Sequence, residues 1–345
     1  MTSTARPDFS LRRTVSRARR RIRLERDAAR ARRRLADLAV FHEFAPSPAG
    51  GGNQTLSALL AELGRRGVGV ERNVIAPGTR ACLFNSFNFD VERLELLARR
   101  VRGVRMVHRV GAVTSLYRGH DDGTDALTAS VNARLADTTI AISQATIEMY
   151  RSIGIELVEP RVIHNPVDPA IFNRDGRVAF SRDRPVRLIS ASWSDNPRKG
   201  APVYRWLEGQ LDPGRFELTF VGNSPVAFER ARHLPPLPSH ELAEELRRHD
   251  VFFTATEHDA YSNALVEALS CGLPALYLDS GGSGEAVRGA GFAFREPDEI
   301  PELLDRLVDE YEQRQAAISL PTLEEIVDAY LETLGLHEFV RNDGD

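Results

Sequence analysis

The sequence of 345 residues has only two cysteines, Cys82 and Cys271, and both lie inside apolar runs far from each other. Such a pair is typical of reduced thiols in a protein core, and it argues against a disulfide framework or a cysteine-based metal site. The sequence also has no stretch of about 18 apolar residues, and its N-terminus lacks the apolar run of a secretory signal. We therefore expect a cytoplasmic protein, and redox chemistry has no support.

Lysine is nearly absent, because Lys199 is the only one and arginine supplies every other basic residue. This bias is typical of a genome composition under which lysine codons drift to arginine wherever the two side chains are interchangeable. They are not interchangeable where a compact ammonium is needed in place of a planar guanidinium. The bias therefore marks Lys199 as a candidate functional residue.

Charge is distributed unevenly, although the formal net charge is only −4. Residues 1–36 carry thirteen arginines against Asp8, Glu25 and Asp27, a balance of about +10, so the remaining chain has about −14. Two interpretations of this Arg-rich helix stay open: a tether to an anionic membrane at its inner face, or a solvated helix that packs on the body. A basic tail can also bind nucleic acid, but we do not expect that partner here.

The length and a hydrophobic content of 42% predict two α/β domains. Short apolar runs alternate with helical patterns, which is typical of parallel sheets wrapped by helices. Predicted strands are residues 38–44, 68–75, 81–84, 104–110, 138–143 and 161–164, and in the second half 186–192, 216–221, 251–256, 275–278 and 291–294. Predicted helices of the second half are residues 202–209, 240–248, 263–270 and 301–313.

The most informative segment is residues 254–274, which has a predicted strand, a polar loop and a helix that opens at Ser262 or Asn263. The first N–H groups of a helix have no partner within it, so the backbone at Asn263 and Ala264 offers an anion site suited to a diphosphate. Glu267 lies one turn into the helix. Its carboxylate can accept hydrogen bonds from ribose hydroxyls.

Asp259 lies in the loop before this helix, where a sugar hydroxyl can reach it. Asp259, seven intervening residues and Glu267, followed by Ala-Leu-Ser-Cys-Gly-Leu-Pro, resemble the carboxylate-x7-Glu motif of the large family of retaining GT-B glycosyltransferases, similar to glycosyltransferase family 4. That family includes sucrose synthases and bacterial surface-polysaccharide enzymes, and it usually has glutamate at the first position. The resemblance implies that the first carboxylate contacts the donor sugar, the second binds the ribose, and backbone amides between them hold the diphosphate.

A second match lies at residues 190–200, where the family usually has Gly-Arg-Leu, three residues and Lys-Gly. There the arginine and the lysine neutralise the donor phosphates. Lys199 and Gly200 fit this pattern, the Gly-Arg pair is absent, and we assign the missing arginine's role to Arg198. The alternative for Lys199 is an ordinary surface charge. The resemblance also places Leu237 in the loop whose backbone reads the base.

The first half has a glycine loop at residues 48–54, where the backbone can approach a ligand and Asn53 can cap the next helix. The family has a comparable loop facing the donor phosphates, which implies donor contacts for Gly51, Gly52 and Asn53. The alternative is a tight structural turn.

His108 follows an apolar strand and resembles the family's active-site histidine near the transferred sugar. A buried, hydrogen-bonded histidine is the alternative there.

The resemblance implies the GT-B fold, in which two Rossmann-like, doubly wound domains face a cleft. The expected organisation is an acceptor domain at residues 37–170, a linker at 171–185, a nucleotide-sugar domain at 186–320, and a helix at 322–338 that crosses back onto the first domain. The expected catalytic residues are His108, Lys199 and Asp259.

We therefore expect a hexosyltransferase that moves a sugar from a nucleotide-sugar donor to a glycan, a lipid-linked or a small-molecule acceptor, with retention of configuration and without a metal or a cofactor. Two alternatives stay open. One is a GT-B enzyme of another activity, such as an epimerase-like enzyme. The other is a catalytically silent protein that binds a sugar nucleotide or acts as a membrane tether.

Overall fold

Two parallel six-stranded sheets form the framework of the computed structural model, which describes Ile22, residues 36–44 and residues 51–340. The Arg-rich helix expected at residues 1–36 therefore lies almost wholly outside the described residues. Helices form most of the connections between successive strands, because a parallel neighbour can be reached only through a crossover; residues 73–80 and 223–231 cross over without a helix. The predicted α/β class with two doubly wound sheets is confirmed.

The first sheet is built from residues 38–162. Its strands are β1 (Leu38–Phe41), β2 (Val70–Arg72), β3 (Ala81–Asn85), β4 (Arg105–Val110), β5 (Thr138–Ala141) and β6 (Pro160–Val162), in the order β2-β1-β3-β4-β5-β6. The helices of this half are α1 (Gly51–Arg65), α2 (Val91–Ala98), α3 (Thr114–Arg118), α4 (Thr124–Leu135) and α5 (Gln144–Ser152).

The second sheet is built from residues 186–294. Its strands are β7 (Val186–Ser192), β8 (Phe216–Gly222), β9 (Arg232–Leu234), β10 (Val251–Thr254), β11 (Ala275–Leu278) and β12 (Gly291–Phe294), in the order β12-β11-β10-β7-β8-β9. The following helices are α6 (Ala201–Gln210), α7 (Ser239–Arg247), α8 (Asn263–Ser270), α9 (Ser283–Val287), α10 (Ile300–Asp309), α11 (Tyr311–Ala316) and α12 (Leu323–Leu334), with 3₁₀ turns at Pro197–Lys199, Pro297–Glu299 and His337–Phe339.

All strands are parallel, but the side of the sheet on which successive strands are added changes once in each sheet, between β1 and β3 in the first and between β7 and β10 in the second. At such a switch point the loops that leave neighbouring strands diverge and open a crevice at the carboxyl ends of the strands. Each sheet therefore places its own crevice at the loops that follow its central strands.

The two halves pack against each other through buried apolar side chains. One continuous cluster contains Val110 and Ile142 from the first half together with Val266 from the second. The connecting residues 163–185 contain no helix or strand. This buried apolar interface between the halves fixes the position of the two crevices relative to each other.

The last helix, α12, packs on the first half although it follows the second half in sequence. Its residues Val327, Tyr330 and Leu331 are fully buried in the cluster that also contains β1 and α1 side chains. Asp328 pairs with Arg66, the residue directly after α1. The helix begins at a capping box made by Thr322 and ends at a left-handed glycine.

Several predicted elements have different bounds in the structure. The predicted helix 301–313 is two helices in the structure, because the helical conformation is interrupted at Glu310, between α10 and α11. Strand β9 is missing from the prediction, since Arg-His-Leu at a sheet edge has no apolar alternation. The helix α1 begins at Gly51, so Asn53 lies inside its first turn and does not cap it.

Candidate active site

A cleft of about 530 Å³ lies between the two halves, where the carboxyl ends of both sets of strands meet. His42, Asn85 and Arg109 line it from the first half, directly after or at the ends of β1, β3 and β4. From the second half, the loops after β7 and β10 and the start of α8 form the opposite wall. The cleft therefore combines the two crevices.

The start of α8 contributes the backbone of the second wall. Ser262 precedes the helix in extended conformation, and its hydroxyl accepts a hydrogen bond from the N–H of Leu265. Asn263 and Ala264 form the first turn and line the cleft. Because the first N–H groups of a helix have no intrahelical partner, this end of α8 presents donors and a partial positive charge to the cleft.

The loop before α8 is held in place by a second glycine loop. Gly282 N–H donates to the carbonyl of Asp259 at 2.7 Å. A Cβ atom at Gly281 would lie 2.1 Å from that same carbonyl oxygen, and Gly281 has φ +63°. Only glycine permits so close an approach in that conformation. The carboxylate of Asp259 is thereby fixed at the cleft wall.

Glu267 lies one turn into α8, and its side chain lines the cleft although the residue is only 8% exposed. Its carboxyl group has no hydrogen bond with any described residue. Burial disfavours the ionised form and raises the pKa of Glu267 to about 8. The group is an acceptor with vacant lone pairs that faces the cleft.

Lys199 lies inside the cleft and is not a solvated surface charge. Its ammonium is 2.9 Å from the Asp259 carboxylate, and the two side chains are 18% and 14% exposed. It also lies 4.9 Å from the centre of the Tyr117 ring in the first half. Burial lowers the pKa of this lysine, but the charge of Asp259, its hydrogen bond to the ammonium and the nearby Tyr117 together outweigh burial and raise the pKa, so the ammonium stays charged.

Gly200 allows Lys199 to reach this position. It has φ +83°, and a Cβ atom there would lie 2.4 Å from the carbonyl oxygen of Ala255. The 3₁₀ turn that carries the lysine therefore packs directly on the end of β10. The Lys-Gly pair works as a unit, with glycine permitting the contact and lysine supplying the charge.

Arg198 does not join the cleft. Its guanidinium lies 3.2 Å from the carboxylate of Glu257 and against Gly119 of the first half. It is not among the side chains that line the cleft in the described part of the chain. The assignment of the missing phosphate-binding arginine to Arg198 is corrected for this reason.

His108 does not face the cleft either. It is fully buried on the other side of the first sheet, where Nε2 bonds the Ser86 carbonyl at 2.8 Å and Nδ1 lies 3.1 Å from Asn132 Nδ2. Burial lowers the pKa of His108 to about 4. His108 is therefore a buried, hydrogen-bonded histidine, the alternative considered above. Successive residues of a strand point to opposite faces, so the next residue, Arg109, faces the cleft.

A hydrogen-bond network missed by the sequence analysis lies on the floor of the cleft. Arg109 Nη1 donates to Asn85 Oδ1 at 2.6 Å, and Arg109 Nη2 donates to Asn165 Oδ1 at 2.5 Å. Asn85 Nδ2 lies 3.2 Å from His42 Nδ1. The only sequence signal is that these polar residues stand at the ends of apolar strands or just after them.

The remaining predicted contacts lie at the cleft or close to it. Gly51 and Gly52 form the start of α1, and the Asn53 side chain bonds His42 Nε2 at 3.3 Å. Asn53 and Leu237 both line the cleft. Their contacts with a donor, and those of the two glycines, stay predictions.

The described residues also bear on two other kinds of site. No group of three or more His, Cys, Asp or Glu side chains gathers there in a way that could hold a metal ion. Among the same residues, no helix has the length and apolar character needed to cross a membrane.

Comparison with known proteins adds the following. Residues 229–319 match the family described as glycosyl transferases group 1. A GDP-mannose-dependent alpha-mannosyltransferase of Mycobacterium tuberculosis is 30% identical over 178 residues, 45% of this chain and 42% of that relative. The chain thus matches less than half of that relative's length.

Among solved structures, sucrose-phosphate synthase from Thermosynechococcus elongatus is similar with a TM-score of 0.68 and 14% identity, over 89% of this chain and 99% of that one. Anabaena HepE in complex with UDP-glucose has a TM-score of 0.59 and 14% identity, over 88% and 98% of the two chains. The chain therefore has the GT-B fold, and within it residues 229–319 are similar to glycosyl transferases group 1.

Proposed function

We propose that this chain is a glycosyltransferase that takes a sugar from a nucleotide-sugar donor on its second half and transfers it to an acceptor held mainly by its first half. One observation carries the proposal. Three features that a nucleotide sugar needs line a single cleft: the open start of α8, the vacant carboxyl of Glu267 and the buried ammonium of Lys199.

Each feature suits one part of the donor. The N–H groups at Asn263 and Ala264 can hold the diphosphate, since a helix start stabilises anions. Glu267 can accept hydrogen bonds from both ribose hydroxyls, because its lone pairs have no partner among the residues that the structure describes. Asp259 stands beside the diphosphate position, where the transferred sugar lies.

Lys199 has the role of stabilising the leaving diphosphate. Charge develops on the phosphate oxygen as the glycosidic bond breaks, and a preorganised ammonium lowers the energy of that state. The lysine is held ready by Asp259 at 2.9 Å and by the Tyr117 ring. Together with the helix start, it supplies the positive charge that a metal ion would otherwise provide, so we propose catalysis without a metal or a cofactor.

Retention of configuration is part of the proposal and rests on the family resemblance. The carboxylate nearest to the donor sugar position, Asp259, is engaged by Lys199 and is not presented as a free nucleophile. Attack and departure on the same face, assisted by the donor phosphate, fits such a site. The matched relative uses GDP-mannose and HepE binds UDP-glucose. These two donors come first in any test.

The test is a panel of nucleotide sugars, beginning with GDP-mannose and UDP-glucose. A donor at 100 times its Kd stabilises the folded protein by about 2.7 kcal/mol, which a thermal melt detects. Release of nucleotide and acceptor glycosylation are then measured for the stabilising donor. Glu267→Ala should abolish the stabilisation and keep the fold, while Glu257→Ala, in the exposed part of the same loop, should not.

The outcomes separate the alternatives. Stabilisation with nucleotide release and a glycosylated acceptor supports the proposal. Stabilisation without any turnover identifies a silent sugar-nucleotide-binding protein, and an altered sugar without transfer identifies an epimerase-like enzyme. If no nucleotide sugar stabilises the protein, the proposed donor site is wrong.

A further inference from the structure

Arg109 is a buried cation at the carboxyl end of β4 that has no ionic partner in the described part of the chain. The residue is 4% exposed and lines the cleft. Its Nε donates to the Tyr330 hydroxyl at 3.1 Å, and its two Nη atoms donate to the side-chain oxygens of Asn85 and Asn165. All three acceptors are neutral. No carboxylate of the described residues forms an ion pair with it.

Such an arrangement is unfavourable unless a ligand completes it. A buried charge without a counter-ion loses its hydration and gains no Coulomb attraction in return. The neutral acceptors fix the orientation of the guanidinium but do not compensate its positive charge. An arginine has five N–H donors, and three hydrogen bonds leave two of them vacant. Since Arg109 borders the cleft, those two donors can be reached by a bound molecule.

The other ionisable groups around the cleft do not compensate this charge. Asp259 is engaged by Lys199 at 2.9 Å. Glu267 is buried in an environment that favours its neutral form. His42 offers no negative charge in either protonation state, and burial and the Arg109 charge both lower its pKa. The floor of the cleft is therefore positive.

The position of Arg109 relative to α8 adds a second argument. Asn165, which accepts from Arg109, donates through its Nδ2 to Asn263 Oδ1 at 2.8 Å, and Asn263 is the first residue of α8. Two separate sources of positive potential, a guanidinium and a helix start, are thus linked through one amide side chain. A ligand that spans both must carry negative charge at that place.

We propose that Arg109 binds an anionic group, a phosphate or a carboxylate, of a molecule that occupies the cleft. This inference rests on the proposed function, and it names a contact from the first half that the donor motif does not contain. Two ligands can supply the anion: the diphosphate of the donor, or an acidic group on the acceptor. The experiment below separates them.

The main variant is Arg109→Gln, and the matched control is Arg105→Gln. Arg105 lies on the same strand, but its Nε donates to the Thr333 carbonyl of α12, outside the cleft. The full chain is titrated by calorimetry with UDP, GDP, uridine and guanosine. A second titration uses inorganic phosphate with the protein saturated by the nucleotide that binds. Circular dichroism confirms the fold of each variant.

If Arg109 contacts the donor diphosphate, Arg109→Gln weakens UDP or GDP binding by about tenfold or more and leaves the nucleoside unchanged. If it contacts an acidic acceptor, nucleotide affinity stays the same, whereas phosphate binds the wild type and the Arg105→Gln control but not Arg109→Gln. Wild-type affinities for nucleotide and phosphate in Arg109→Gln overturn the inference.

Two further results keep the inference separate from the proposed function. If the wild type binds no nucleotide, the donor site fails, and the phosphate titration alone then decides the role of Arg109. If Arg109→Gln does not fold, Arg109→Lys replaces it, because it keeps the charge and loses the planar fork. Unchanged anion affinity in that variant would refute a contact through the two vacant guanidinium donors.

Discussion

The burial of Glu267 predicts how the stability of the protein depends on pH, and measuring that dependence tests the environment of the site directly. The carboxyl group is buried without a hydrogen-bond partner among the described residues, and its pKa rises from 4.5 to about 8. Below pH 4.5 the group is protonated in both the folded and the unfolded chain and has no effect. Between 4.5 and 8 the unfolded chain has lost the proton and the folded chain keeps it. Stability therefore falls as the pH rises through this window, and the loss is complete above pH 8.

The size of the effect follows from the pKa difference. One pKa unit corresponds to about 1.4 kcal/mol, so the shift from 4.5 to about 8 corresponds to about 5 kcal/mol at most. Glu267→Gln cannot titrate, and its stability should lack this decline. Relative to wild type, the variant should gain stability with a slope that approaches about 1.4 kcal/mol per pH unit.

The assay is urea unfolding between pH 4 and 9, followed by tryptophan fluorescence. The only two tryptophans, Trp193 and Trp206, lie in the same half as Glu267. Glu257→Gln is the control, because Glu257 is exposed and paired with Arg198. Wild-type and Glu267→Gln curves that stay parallel within about 0.5 kcal/mol would refute the reasoning about burial.

The same group should couple nucleotide binding to proton release. Ribose hydroxyls donate hydrogen bonds, and the ionised carboxylate accepts them better than the neutral acid. Nucleotide affinity should therefore rise with pH up to about 8, the pKa of the free site. Calorimetry in two buffers of different ionisation enthalpy counts the released proton. A pH-independent affinity would separate Glu267 from the ribose.

Three more predictions concern the rest of the chain. Lys199→Arg and Lys199→Ala should each lower turnover by about 10²-fold, whereas Arg198→Gln should stay close to wild type. Near wild-type turnover in both lysine variants would show that the lone lysine is an accident of composition. Gly200→Ala should lower the melting temperature, because φ is +83° and the new Cβ would meet a carbonyl oxygen at 2.4 Å; the matched Gly209→Ala, in open space, should not. Deletion of residues 1–36 should keep turnover and weaken association with anionic liposomes at low salt, and an insoluble product would show that the segment belongs to the fold.

The sequence predicts much of the second half because local and long-range signals agree there. β7, β11, β12 and α8 begin and end at the predicted residues. β11 and β12 are short apolar runs, β7 has an apolar centre, and α8 starts after a polar loop and stops before a glycine. The strand-loop-helix arrangement of the donor segment follows from those same signals.

Side-chain direction at a strand end is harder to predict. His108 and Arg109 are neighbours at the end of β4, and the sequence does not show which of them faces the cleft. A shift of one residue exchanges the two faces of a strand. The histidine has the more familiar catalytic chemistry, yet the structure buries it against Phe84 and gives the cleft to the arginine. The choice of Arg198 failed similarly, since the partner Glu257 comes from another loop.

Contacts between the halves depend on their relative placement, which neither half encodes alone. Gln54 at the start of α1 donates to the Ser239 hydroxyl at 3.0 Å, and Glu285 accepts from the N–H groups of Gln144 and Ala145 at the start of α5. In the second contact, a carboxylate of one half caps a helix of the other. Such caps hold the cleft at a defined width. Their loss should loosen the cleft without unfolding either sheet.

The positive charges of the cleft also come from both halves, and this division has a consequence for the reaction. Lys199 belongs to the second half and Arg109 to the first, and Tyr117 of the first half lies against the lysine at 4.9 Å. An anion bound between them must contact both halves at once. Each half alone would bind it weakly, because a single exposed charge is well solvated. A bound anion should therefore stabilise this arrangement of the two halves over any in which the two charges lie farther apart.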